Sequence, residues 1–114
     1  MNIFSKFKAY LRLREAVKKA DKAHVENGER YYVIPAIDEK LLITDRKHFR
    51  ILKQKGYIHR NRTVTDLIAF SFYFTPYKDG SNPLAPDYAA EKRKQYYRWV
   101  ESCRKAKKAK KEAK

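Results

Sequence analysis

Residues 63–75, TVTDLIAFSFYFT, are the longest β-rich run in the chain, and neither parity of the run is polar. Ile68, Phe70, Phe72 and Phe74 share one parity; Leu67, Ala69, Ser71 and Tyr73 share the other. A strand with two largely apolar faces has to be covered on one side and partly on the other. The run therefore predicts the central strand of a sheet. Pro76 ends it, because proline cannot donate to a ladder.

The partners of that strand lie upstream. Arg30–Ile34 carries Tyr31, Tyr32, Val33 and Ile34, a second β-rich run closed by Pro35. Ala36–Lys40 is turn-like, and Leu41–Thr44 reads as the return strand of a hairpin. Downstream, PYKDGSNPLAP at 76–86 holds the turn pairs Asp79-Gly80 and Asn82-Pro83 and reads as a loop.

Two long helical patterns enclose this region. Residues 2–26 form the first, with Asn2 or Ser5 as cap and Gly28 as stop. Residues 87–103 form the second, with Pro86 in its first turn and Asp87 at the positive end of its dipole. Tyr88, Ala89, Tyr96, Trp99, Val100 and Cys103 share one face, and Tyr97 falls on the other. Phe70, Phe72 and Trp99 are expected in the core. At 114 residues the chain matches the usual size of one domain. The expected fold is α+β: a small three-stranded sheet (30–34, 41–44, 64–75) packed by two long terminal helices, with a short basic helix between strands two and three. Residues 1–103 make the domain, and 104–114 a Lys-rich C-terminal tail.

The first helix carries two apolar stripes. Ile3, Phe4, Phe7, Tyr10 and Leu11 form one; Leu13, Val17, Ala20 and His24 form the other. The second is rotated by roughly a quarter to a third of a turn at 3.6 residues per turn. A small domain needs its aromatics in the core, so the first stripe is assigned to covering the sheet. A membrane-interface helix is the alternative.

The chemistry concentrates in residues 44–62, TDRKHFRILKQKGYIHRNR. Thr44 and Asp45 are capping residues, Gly56 suits a helix stop, and Phe49 and Leu52 can dock a short helix over 45–55. Arg46, Lys47, Arg50, Lys53, Lys55, Arg60 and Arg62 fall here, with no acid from Arg46 to Thr65. Clustered cations suit phosphate, because each neutralised phosphate releases condensed counterions. Tyr57 and Tyr97 are the candidates to stack on unpaired bases, with core packing beside Gly56 the alternative for Tyr57. The tail, RKAKKAKKEAK, adds Arg104, Lys105, Lys107 and Lys108 as further candidates for nucleic-acid contact.

The whole chain has 28 basic and 13 acidic residues, a formal net charge of +15. Such a balance points to nucleic acid, an anionic membrane face or an acidic protein. The longest apolar run, 67–70, is too short to span a membrane, and lysines and arginines interrupt the start of the chain where a signal peptide would need apolar residues. The single cysteine, Cys103, allows no internal disulfide and no Cys-based zinc site, which fits a cytoplasmic protein. No nucleophile elbow, phosphate-binding glycine loop or HExxH motif is present. His24 could pair with Asp21, and Asp38, Glu39, Asp45 and Asp66 lack the spacing of a metal site. The expectation is a non-enzyme without cofactor or metal.

The element order resembles the double-stranded-RNA-binding domain in outline. That fold keeps three strands consecutive, whereas DRKHFRILKQKGYI interrupts them here, so the assignment is not made. The run from Gly28 to Ile58, GERYYVIP…LLITDRKHFRILKQKGYI, resembles small uncharacterised proteins of tailed phages and mobile elements of gut bacteria. That resemblance brings no activity and no residue role; it implies an accessory or particle-associated part. The leading expectation is non-catalytic nucleic-acid binding through phosphates. An acidic protein partner ranks second, and peripheral membrane association through the first helix third.

Overall fold

The structure is a computed structural model, and it describes residues 2–36, 39–56, 63 and 66–112, with side chains through Ala109. The fold is α+β. In chain order it comprises α1 (Ile3–Asn27), β1 (Tyr32–Pro35), β2 (Leu41–Thr44), α2 (Arg46–Gln54), α3 (Leu67–Phe70), β3 (Tyr73–Phe74) and α4 (Pro86–Glu112). The strands make one antiparallel sheet in the order β2-β1-β3.

Period-two alternation divides the core between the faces of that sheet. Val33 points to one face, with Leu41, Ile43 and Tyr73 beside it. There α1 and α4 pack, contributing Ala9, Leu13, Ala16, Ala20, Tyr96 and Val100. Tyr32 and Ile34 point to the other face, with Leu42 and Phe74. That face is covered by Phe49 of α2 and by Leu67 and Phe70 of α3. The sheet is thus the middle layer of three.

The expected central strand over 63–75 is corrected. Its central place belongs to β1, which pairs on both sides, and β3 is a two-residue edge strand. Leu67–Phe70 is a helical turn closed by the Ser71 N–H donating to the Leu67 carbonyl at 3.0 Å. Residues 64 and 65 lie outside the described residues. The local cause is Asp66, whose Oδ2 accepts from the Thr63 N–H at 3.0 Å and the Thr63 hydroxyl at 2.9 Å. A run apolar at both parities satisfies a buried helical turn as well as a strand, and Leu67 and Phe70, three apart, are both buried. One parity is therefore split: Phe72 joins the α1/α4 core, while Phe70 and Phe74 join the other. Phe70 and Phe72 are buried as expected, and Trp99 is partly buried. The first strand starts two residues later than expected and ends one residue later, with Pro35 at its last position.

The ends of α1 follow the sequence. Asn2 Oδ1 accepts from the Ser5 N–H at 2.8 Å. Gly28 adopts φ 74°, and its N–H donates to the His24 carbonyl at 2.7 Å. His24 Nδ1 meets the Glu29 carbonyl at 2.7 Å, not Asp21; Asp21 accepts instead from the Tyr73 hydroxyl at 2.6 Å.

The packing of α1 overturns one expectation. Its buried residues are Ala9, Leu13, Ala16 and Ala20, and the three alanines let the helix axis approach the sheet. The stripe assigned to the sheet faces outward: Ile3 is 79% exposed, Phe4 77%, Phe7 59%, Tyr10 44% and Leu11 39%. At 100° per residue, Ile3, Phe4, Phe7 and Leu11 centre roughly 160° around the helix from the buried face.

Helix α4 does not stop at Cys103 but continues to Glu112. Lysine and alanine are good helix formers, and the preceding turns are already nucleated by packing. Tyr97, expected opposite the packed face, is partly buried beside Tyr96, with Lys6 Nζ 5.3 Å from its ring centre. Among the described residues, no helix is long and apolar enough to cross a membrane.

Candidate anion-binding surface

Helix α2 begins where β2 ends. Asp45 caps it: Oδ1 accepts from the His48 N–H at 2.7 Å and lies 2.8 Å from His48 Nδ1. Burial would raise the Asp45 carboxyl, but these bonds and the Lys47 N–H outweigh it and hold it below the usual carboxylate value. The helix is pinned by Phe49, 1% exposed, whose ring lies 6.2 Å from that of Phe70. Leu52 packs beside it.

Anchoring Phe49 and Leu52 decides what the other side shows. Arg46, Lys47 and Arg50 are exposed, with Arg46 and Arg50 one turn apart. Lys53 is half-buried, and Lys55 is exposed at the C-cap. Arg46, Lys47 and Arg50 form no ion pair with a carboxylate among the described residues; the adjacent acid, Asp45, is held by its capping bonds. Tyr57, Arg60 and Arg62 lie outside the described residues.

An open cleft of about 980 Å³ adjoins the first turn of α2, lined in part by Arg30, Arg46, Lys47, His48, Tyr77 and Lys78. Arg30 is the residue that sequence reasoning missed. It reads as a strand start, but it is 6% exposed, with its guanidinium 4.4 Å from the Phe74 ring centre and 4.3 Å from that of Tyr77. Its Nη2 donates to the Asn82 carbonyl at 3.3 Å, and its Nε has no hydrogen-bond acceptor among the described residues. The clamp fixes the 77–82 loop against the sheet. Glu29, Asp45 and Asp79 also line the cleft, so the charge on the side of Arg46 and Lys47 that faces it is mixed.

The tail candidates lie elsewhere. The Arg104 side chain is partly buried with Nε 3.8 Å from Glu39 Oε1, and Arg12 Nη1 donates to Glu39 Oε2 at 3.1 Å. Lys105, Lys107 and Lys108 are exposed. Helix α4 packs on the α1 side of the sheet and α2 on the opposite side, so the fold does not unite the two basic groups on one face.

A second unforeseen cation is Lys92, 1% exposed. Its Nζ donates to the Ile68 carbonyl at 2.5 Å and the Ser71 carbonyl at 2.6 Å, tying the end of α3 to α4. Burial pulls its pKa from 10.5 down to about 8. The one sequence signal was its spacing, four residues before Tyr96 and eight before Val100 on the buried face.

Among the described residues, no group of three His, Cys, Asp or Glu is arranged to hold a metal ion. No family model, curated protein or solved structure matches the chain.

Proposed function

We propose that the protein binds nucleic acid without catalysis, through phosphate contacts made chiefly by the outer face of α2. The observation that carries this reading is the exposure of Arg46, Lys47 and Arg50 together on a capped, anchored helix, in a chain of net charge +15. Cations already positioned by a capped helix pinned through Phe49 lose little freedom on binding. Lys105, Lys107 and Lys108, on the other side of the molecule, add long-range attraction. With three exposed cations on α2, the contact reads charge and spacing, not base edges. Such an activity suits an accessory protein of a phage or mobile element.

The test is a titration of duplex DNA and single-stranded RNA across a salt series. The reading expects log K to fall linearly with log salt, with a slope of about 0.9 per duplex phosphate neutralised. Affinity that does not respond to salt removes phosphate contact as the basis. Absence of binding to either nucleic acid, with binding to an acidic protein, makes that protein the partner of the same face.

A further inference from the structure

We propose that the outward stripe of α1 is a contact for an anionic membrane surface. It rests on no residue of the α2 face. Sequence reasoning set this stripe inside the core, and that assignment does not survive the fold. Ile3, Phe4 and Phe7 are more than half exposed, and Leu11 follows on the same face.

Three observations identify the occupant. The first is shape. The stripe is the convex outer side of a helix whose inner side is fully engaged by Ala9, Leu13, Ala16 and Ala20. A convex apolar ridge lying tangential to the molecule suits a fluid, flat interface, which needs no matching pocket and no unfolding of α1. The second is charge. Residues 2–14 contain Lys6, Lys8, Arg12 and Arg14 and no acid. Arg12 is held by Glu39, but Lys8 and Arg14 are exposed and have no carboxylate partner among the described residues. Lysines beside an apolar stripe can bury their stems while their ammonium groups reach lipid phosphates. The third is the neighbouring helix. Tyr96 meets Ala9, Tyr97 lies beneath Lys6, and Arg104 shares Glu39 with Arg12, so α4 packs against the half of α1 that carries the stripe. The exposed Lys105, Lys107 and Lys108 follow Arg104 on the same helix and add to the positive charge.

The same charges disfavour a second copy of the chain, because stacking two stripes would bring like charges together. The Lys-rich end of α4 cannot cover the stripe either, as its only apolar residues are alanines.

The test is flotation of the whole protein with vesicles of phosphatidylcholine alone and of phosphatidylcholine mixed with phosphatidylglycerol. The proposal expects flotation with the mixed vesicles only. It expects Phe4→Ser/Phe7→Ser to lose about tenfold or more in partitioning, since each phenylalanine withdraws its apolar area from the lipid. Arg46→Glu/Arg50→Glu should float like the unaltered protein at equal vesicle charge. In Phe4→Trp, emission should shift to the blue on adding mixed vesicles, a reading that does not depend on the serine variant remaining folded. Equal flotation with neutral vesicles, or an unshifted Phe4→Trp spectrum, overturns the proposal. If the unaltered protein sediments as a dimer and Phe4→Ser/Phe7→Ser as a monomer, the stripe is a self-association face. If neither vesicle binds, the membrane is excluded and an acidic protein takes its place.

Discussion

The hydroxyl of Tyr96 donates to the Ala9 carbonyl at 2.6 Å, in a site where both residues are fully buried. This bond joins the two long helices at their closest described polar contact. Ala9 is small enough to admit it. Tyr96→Phe removes the donor and little volume, and the Ala9 carbonyl remains within its helix. The expected loss is about 1 kcal/mol by chemical denaturation. A loss near zero would mean that apolar packing alone holds α4 to α1.

Two phenylalanines are predicted to respond in opposite ways. Phe72 is 4% exposed, with ring centres 5.2 Å from Tyr96 and 5.3 Å from Trp99. Phe72→Ala should cost about 3–5 kcal/mol. Phe4, 77% exposed, should give less than about 0.5 kcal/mol on the same change. Similar losses for both would place Phe4 inside a core, contrary to the packing of α1.

Lys92 gives the protein a pH dependence at the alkaline side. Its folded pKa of about 8 lies below the ordinary 10.5, so folding disfavours its protonated form. Below about pH 8 the lysine is charged in both states and that cost is fully present. As pH rises from 8 toward 10.5 the unfolded chain holds the extra proton, and stability rises. The Ile68 and Ser71 carbonyls oppose part of the shift by holding the ammonium, so the gain is about 1–3 kcal/mol. Tyrosines act in the reverse sense. Burial pushes Tyr96 up to about 12, and burial with the Asp21 bond raises Tyr73. Their contribution is complete below their ordinary value of 10.0 and is lost as pH climbs above it. Denaturation from pH 8 to 10 should therefore show a rise that Lys92→Met lacks. Parallel curves for the two proteins would mean that the carbonyls keep Lys92 protonated throughout.

The elements whose ends carry specific chemistry were legible in the sequence. Asn2, Gly28 and Asp45 mark helix boundaries through hydrogen bonds that depend on adjacent residues only. The hairpin was legible because the β-rich runs 31–34 and Leu41–Thr44 are separated only by the short turn-like segment 36–40. Residues 67–70 were not, because a short apolar run serves a strand and a buried turn alike, and the choice is made by where β1 and α4 sit. The outward stripe of α1 was missed for a related reason. Hydrophobicity favoured phenylalanine for the core, whereas close approach to the sheet favoured alanine. Of the site, the cations on α2 were legible as charge, while Arg30 and Lys92 were not, since their partners are 52 and 24 residues away in sequence.

The central claim is that the α2 face positions nucleic acid and that the end of α4 only attracts it. The direct measurement compares Arg46→Glu/Arg50→Glu with Lys107→Glu/Lys108→Glu, two double variants of equal charge change, for duplex DNA affinity across one salt series. Both should keep the circular dichroism and melting temperature of the unaltered protein, because all four side chains are exposed. The account predicts the larger loss for the α2 variant, with its salt slope reduced by about 0.9 for each duplex-phosphate contact removed. A larger loss for the α4 variant, or equal losses from the two, would contradict it.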